Sequence, residues 1–274
     1  MGTSGAFKGS GGKAAEDLRD ALADWLGDAP SDDSSPENDA SGDQQGEPQT
    51  SAPLTTSALS SVFSMWGSGG GAGHGSNGGA GGNPGGNGNS GASGRSSGGV
   101  HRNVASVATP AGRAGALAKA YTSGDRETLE AAGLNYNELR ALGNPLEVGK
   151  RILDATFDTQ PDSSIEDSES WMIVADLTSW ILESPEDQLP APDDIVRRSL
   201  ELMITRTALT EVGDTIRQEK NPAKRREAEN EVGRIAKVYA SQATLSGTGA
   251  TSAEISTAIT DSVEQLKAIY GVAQ

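Results

Sequence analysis

Residues 192–219 read PDDIVRRSLELMITRTALTEVGDTIRQE, and this stretch decides the fold. Ile195, Leu202, Leu209 and Ile216 recur every seven residues, and Val196, Met203 and Val212 widen them into a stripe. Apolar residues at that spacing share one face of an α-helix, whereas a half-buried strand would alternate every second residue. Pro192 opens the segment, where its missing N–H costs nothing and its fixed φ suits a helix start. Only one of the two seam positions is regularly apolar, so the pattern predicts core packing and not a coiled coil.

The same signals recur on both sides. Asn221-Pro222 repeats the cap-plus-proline signature ahead of a helix over 223–242. Ser252 or Thr251 can cap a last helix, in which Ile255, Ile259, Val263, Leu266 and Ile269–Tyr270 keep helical spacing. Towards the N-terminus, a helix over 164–183 is expected to carry Trp171, Val174, Leu177, Thr178, Ile181 and Leu182 on one side. Asn144-Pro145 opens 146–157, Asn135 or Asn137 caps a short turn to Leu142, and Asp125 caps 126–132. An Ala-rich helix over 111–122 comes first. No stretch alternates as a strand would. Residues 100–274 are therefore predicted to form an all-α domain, a bundle of six to eight helices with short connections.

The front of the chain reads differently. Of 36 glycines in 274 residues, 17 fall in the 33 residues from Gly67 to Gly99, a tract without Leu, Ile, Val, Phe, Tyr, Trp or Met. Such a sequence cannot bury enough apolar surface to offset its ordering entropy. Residues 28–99 are accordingly expected to be a disordered linker, acidic first and glycine-rich later, that tethers the front to the bundle. Leu54, Leu59, Val62, Phe63, Met65 and Trp66 interrupt it, and 54–66 reads as a docking segment. Ahead of the linker, 14–27 forms a short amphipathic helix with Leu18, Leu22, Trp25 and Leu26 on one face. Thirteen or so residues make a marginal helix alone, so that face needs cover from the chain's own core or from a partner. Residues 1–13 are a slender, flexible lead.

Composition removes several functions. Without cysteine there is no disulfide framework, thiolate nucleophile or Cys-based zinc site. The two histidines, His74 and His101, have no ligand pattern around them. The longest apolar run, Trp171 to Leu182, carries Asp176 and is too short to span a bilayer. A net charge of −16 argues against nucleic-acid backbone as a ligand. A cytoplasmic protein that binds neither membrane nor nucleic acid is the simple reading. The acidic clusters Glu166-Asp167-Glu169 and Glu183-Glu186-Asp187 match no EF-hand spacing, and Lys224-Arg225-Arg226 is balanced by Glu227, Glu229 and Glu231. Gly9-Ser10-Gly11-Gly12-Lys13 is no phosphate loop, because Phe7 stands where the first glycine belongs, Ala14 follows the lysine and no strand precedes it.

The N-terminus remains. Gly2 is small, so loss of Met1 is expected and leaves an unhindered glycyl amine. An α-amine titrates near 7.7–8.0 and lysine near 10.4, so roughly a tenth of the amine is neutral and nucleophilic at pH 7. Gly2 to Lys13 reaches about 40 Å when extended, enough to thread into a partner's active site. Myristoylation fits poorly, since Ala6 occupies the position that pattern reserves for Ser or Thr.

Met1-Gly2-Thr3-Ser4-Gly5, then Phe7 and Gly9-Ser10-Gly11-Gly12-Lys13, resembles the start of the QatB family of four-component anti-phage defence systems. The low-complexity middle and a helical second half with Arg113-Ala-Gly and Tyr121-Thr-Ser-Gly-Asp125 support the likeness. The resemblance implies an all-α adaptor that is not an enzyme and holds no cofactor of its own. A QueC-like partner, QatC, would bring ATP and a 7-deazaguanine precursor and conjugate the base to the Gly2 amine. Thr3, Ser4, Gly5, Phe7 and Lys8 would be read by that partner, with Leu18, Leu22, Trp25, Phe63 and Trp66 as further anchors. An ATPase and a TatD-like nuclease are the wider partners it implies.

Overall fold

A computed structural model describes residues 12–28, 53–67, 102–157 and 165–271 of the chain. The fold is all-α. Helix α1 (Gly12–Asp28) is followed by a 3-10 helix (Thr56–Met65), α2 (Val104–Ser123), α3 (Arg126–Ala131) and α4 (Tyr136–Leu142). Then come α5 (Pro145–Phe157), α6 (Ile165–Leu182), α7 (Pro192–Gln218), α8 (Pro222–Ser241) and α9 (Ser252–Tyr270). A three-residue 3-10 turn (Glu186–Gln188) between α6 and α7 and a two-residue parallel pairing, β1 (Trp66–Gly67) with β2 (Arg102–Asn103), are the other regular elements among the described residues.

Short polar side chains set the helix starts. Asn103 accepts the Ala105 N–H, Asp125 accepts the Thr128 N–H, and Asn135 accepts from Asn137 and Glu138. Asn221 does the same for α8, and Thr251 with Glu254 forms a reciprocal capping box at α9. Gly124 and Gly143 end α2 and α4 with φ of 76° and 61°, a left-handed turn that costs glycine no Cβ clash.

Helix α2 sits at the centre, packed chiefly against α9 and α6. It can do so because most of its buried residues are small: Ala108, Ala111, Gly112, Ala114, Gly115, Ala116, Ala118 and Ala120, beside Val104, Pro110 and Leu117. It also runs further forward than the helix expected over 111–122. Pro110 lies inside it, buried, and Asn103 caps it seven residues earlier. Pro110, the seventh residue of α2, stands past its first turn, so it removes the hydrogen bond to the Ser106 carbonyl and its ring crowds that carbonyl, while Asn103 holds the first turn.

Two sequence expectations are corrected. Trp171 is 49% exposed, not part of the buried face of α6. That face runs through Ser170, Ile173, Val174, Leu177, Thr178 and Ile181, and Trp171, nearer the N-terminal end of α6, stays in solvent although it stands on the same side as Thr178. The front of the chain, moreover, is no separate unit. Ala15, Leu18, Leu22, Leu26, Leu54, Leu59, Val62, Phe63, Met65 and Trp66 belong to the same buried cluster as α2, α7, α8 and α9. The disorder expected over most of 28–99 lies outside the described residues, as do His74 and His101.

Candidate functional site

The mount of the N-terminal lead is the first candidate. Helix α1 packs on the 3-10 helix and on α7, with Leu18 and Leu22 almost fully buried between them. Its polar edge is fixed as well. Arg19 donates from Nε to the Glu211 carbonyl and from Nη2 to the Glu211 carboxylate, both at 3.0 Å. A cation clamped by carbonyl and carboxylate together resists swinging about either contact, so α1 is held in angle as well as in place.

The 3-10 helix is tied to α8 and α9 by atoms far apart in sequence. The Leu54 N–H donates to Glu231 at 2.9 Å, and Arg234 donates to both Glu231 and the Leu54 carbonyl. Hydrogen bonds from Arg234 hold the Glu231 carboxyl below the usual carboxylate range. Tyr239 Oη donates to the Thr56 carbonyl at 2.6 Å, and Ser64 Oγ donates to the Gly271 carbonyl at 3.1 Å. Phe63 is the hub of an aromatic cluster, with ring centroids 5.0 Å from Tyr239, 5.5 Å from Trp66 and 5.7 Å from Tyr270. Burial, with the Tyr270 hydroxyl nearby, pushes the Tyr239 phenol up to about 12.

Where α1, the 3-10 helix, α8 and α9 meet, a groove of about 670 Å³ opens to solvent. Lys13 and Asp17 stand on one wall, Ser57 and Ser61 on another, and Tyr239, Ile269 and Tyr270 complete it. A second, much smaller cavity of about 30 Å³ lies under the β1–β2 pairing. There Trp66 Nε1 donates to Thr207 Oγ1 at 3.1 Å, while Ser170 Oγ is buried with no partner among the described residues. That volume suits one or two waters and nothing larger.

The anchors expected for a partner are accounted for differently. Leu18, Leu22, Phe63 and Trp66 are 1%, 1%, 0% and 3% exposed, consumed by the chain's own core, and Trp25 is half-buried against it. Their apolar spacing is real, and intramolecular burial satisfies it. Gly2, Thr3, Ser4, Gly5, Phe7 and Lys8 lie outside the described residues. Tyr239 and Arg234 escape sequence reading, and Tyr270 and Glu231 are legible there only as a core position and a surface charge, because each acts on a segment about 180 residues or more away and no local spacing marks it.

The other displaced carboxylates serve as caps and ties. Hydroxyl and backbone donors of Thr128, Thr248 and Thr251 lower the carboxyls of Asp125, Asp193 and Glu254 respectively. Among the described residues, no group of three or more His, Asp or Glu is arranged to hold a metal ion, and no helix is long and apolar enough to cross a membrane. No family model, curated protein or solved structure matches the chain.

Proposed function

We propose that this chain is a non-catalytic, QatB-like component of an anti-phage defence system, the protein substrate and adaptor of a QueC-like enzyme. The Gly2 amine attacks the carboxyl carbon of an adenylated 7-carboxy-7-deazaguanine held by that partner, AMP leaves, and an amide joins the base to Gly2. ATP and the base precursor belong to the partner, and the helical bundle is the platform that presents the terminus. An ATPase and a TatD-like nuclease complete the assembly, in the cytoplasm.

The rigid mount of α1 carries this reading. A terminus offered to another protein's active site needs a narrow approach and a fixed base, because positioning at one end lowers the entropy lost at the other. Residues 2–6 supply small side chains, and α1 supplies the base through Leu18, Leu22 and the Arg19–Glu211 clamp. Intact-mass measurement of the chain co-expressed with its QueC-like partner tests it. The expected product lacks Met1 and carries a deazapurine amide on Gly2. An unmodified terminus beside an active partner overturns the proposal.

A scaffold with an inert terminus is the competing reading, favoured by apolar side chains left in solvent: Leu146 at 73% and Trp171 at 49% exposed. Deleting residues 2–12 separates the two. Conjugation predicts lost defence with the complex intact, whereas a scaffold predicts both retained.

A further inference from the structure

The groove between α1, the 3-10 helix and α9 has its own occupant within the chain. We propose that it seats the N-terminal lead, with Phe7 as the anchor. This goes beyond the reading of Gly2 as a conjugation site, since the seat stands whether or not the amine is modified.

Four observations converge. First, residues 1–11 join the structure at Gly12, and Lys13 already lines the groove, so the lead begins at its rim. Second, the groove presents apolar surface without cover among the described residues. Ile269 is 55% exposed beside Tyr270, at the edge of a core that is otherwise closed around Phe63 and Tyr239. Third, Ser61 lines the groove, and its Oγ has no hydrogen-bond partner among the described residues. Turned outward, that hydroxyl can meet a backbone N–H or carbonyl of a segment lying in the groove, which answers its need for a partner. Fourth, Lys8 of the lead has acidic partners at hand: Asp17 stands on the groove wall beside Lys13, with Glu16 and Asp20 on the neighbouring turns of α1.

Reach and size fit the same occupant. Phe7 lies five residues before Gly12, a span of up to about 17 Å. The groove wall from Lys13 to Ala21 is eight residues of helix, about 12 Å long. Phe7 can therefore meet Ile269 and Tyr270 from anywhere along it. Phe7 is also the only aromatic residue ahead of α1, flanked by Gly5, Ala6 and Gly9, which let the backbone approach the wall closely. Seating Phe7 leaves Gly2 to Ala6 beyond the seat, with about 17 Å of reach in place of 40 Å. The lead becomes a short spout of fixed direction.

Trypsin reads this directly, because Lys8-Gly9 adjoins the anchor and cleavage follows the population of the open form. In the purified full chain, cleavage after Lys8 is expected to be at least about tenfold slower than in a synthetic peptide of residues 1–13. Phe7→Ala and Ile269→Asp each restore the peptide's rate, and the double variant adds nothing. Ile269 is half-exposed, so circular dichroism of Ile269→Asp is expected to match the parent and exclude unfolding as the cause. Equal rates in chain and peptide overturn the seat. Protection untouched by both variants overturns it too, and so does protection that rises with protein concentration, which marks a second copy as the occupant. None of these readouts depends on conjugation, so the seat and the modification fail separately.

Discussion

Single atoms decide whether α2 can occupy the centre. A Cβ on Gly112 would stand 2.6 Å from the Ser252 carbonyl oxygen and 2.8 Å from the Ser256 nitrogen. Both are backbone atoms of α9 and cannot rotate away, so α2 and α9 must part. Gly112→Ala is expected to destabilise the chain by roughly 1–3 kcal/mol, read from the urea midpoint. Gly149→Ala is the matched control. Its Cβ would find Leu182 at 3.5 Å and Thr178 at 3.9 Å, ordinary contacts, so the better helix former is expected to be neutral or to gain about 0.5–1 kcal/mol. Tyr239 makes a different test, of pH. Its folded phenol titrates at about 12 and its unfolded one near 10, so the folded state keeps a proton that the unfolded state has lost. Stability from this group is whole below about pH 10 and falls as pH rises towards 12. Tyr239→Phe lacks that alkaline decline, and it starts about 1 kcal/mol less stable at neutral pH for want of the bond to Thr56. Denaturant midpoints between pH 7 and 12 check both effects.

At the scale of elements, the sequence declared most helices and left open what covers them. Caps and prolines at Asp125, Asn144-Pro145, Asn221-Pro222 and Thr251 are local signals, and local signals are legible in one dimension. Spacing also marked the apolar face of α1 and the Leu59–Trp66 cluster. It left open what covers an amphipathic face, because that depends on residues brought together only by the fold. Glu211 under Arg19 and Tyr239 under Thr56 are such residues. Trp171 failed for a related reason, as a face inferred over a whole helix need not persist to its end. Intramolecular cover makes a clear prediction for α1. Leu22→Ala is expected to cost about 2–5 kcal/mol in the isolated chain, with a lowered urea midpoint and no partner present. A side chain held for a partner would leave that midpoint unmoved. The Arg19–Glu211 clamp is partly exposed, and Arg19→Met should cost less than Leu22→Ala.

For the molecule as a whole, the decisive contact is the smallest. Trp66 pairs with Arg102 and Gly67 with Asn103, in parallel, so the residues from 68 to 101 leave and return at one place. A tether between separate bodies would part its two ends. This insertion joins two points of a single core, and Trp66 is pinned there by Thr207 while Asn103 caps α2. Gly67 and Arg102 are neighbours in the fold, so the length of chain between them does not set the distance between front and back. The entropy of closing a flexible loop grows with the logarithm of its length, as about (3/2)RT ln n. Replacing the 34 residues from 68 to 101 with about 14 of Gly and Ser is expected to raise stability by about 0.8 kcal/mol. A parallel pair needs a return connection of about a dozen residues or more, which this supplies, so the shortened chain should keep its helical circular dichroism and melt in one transition. A loss of several kcal/mol would mean that the tract packs on the core, contrary to a composition with no large apolar side chain between Gly67 and Gly99. The conjugation proposed at Gly2 should survive the same deletion, because the lead joins α1 and α1 is held by α7 and the 3-10 helix, not by the length of the insertion.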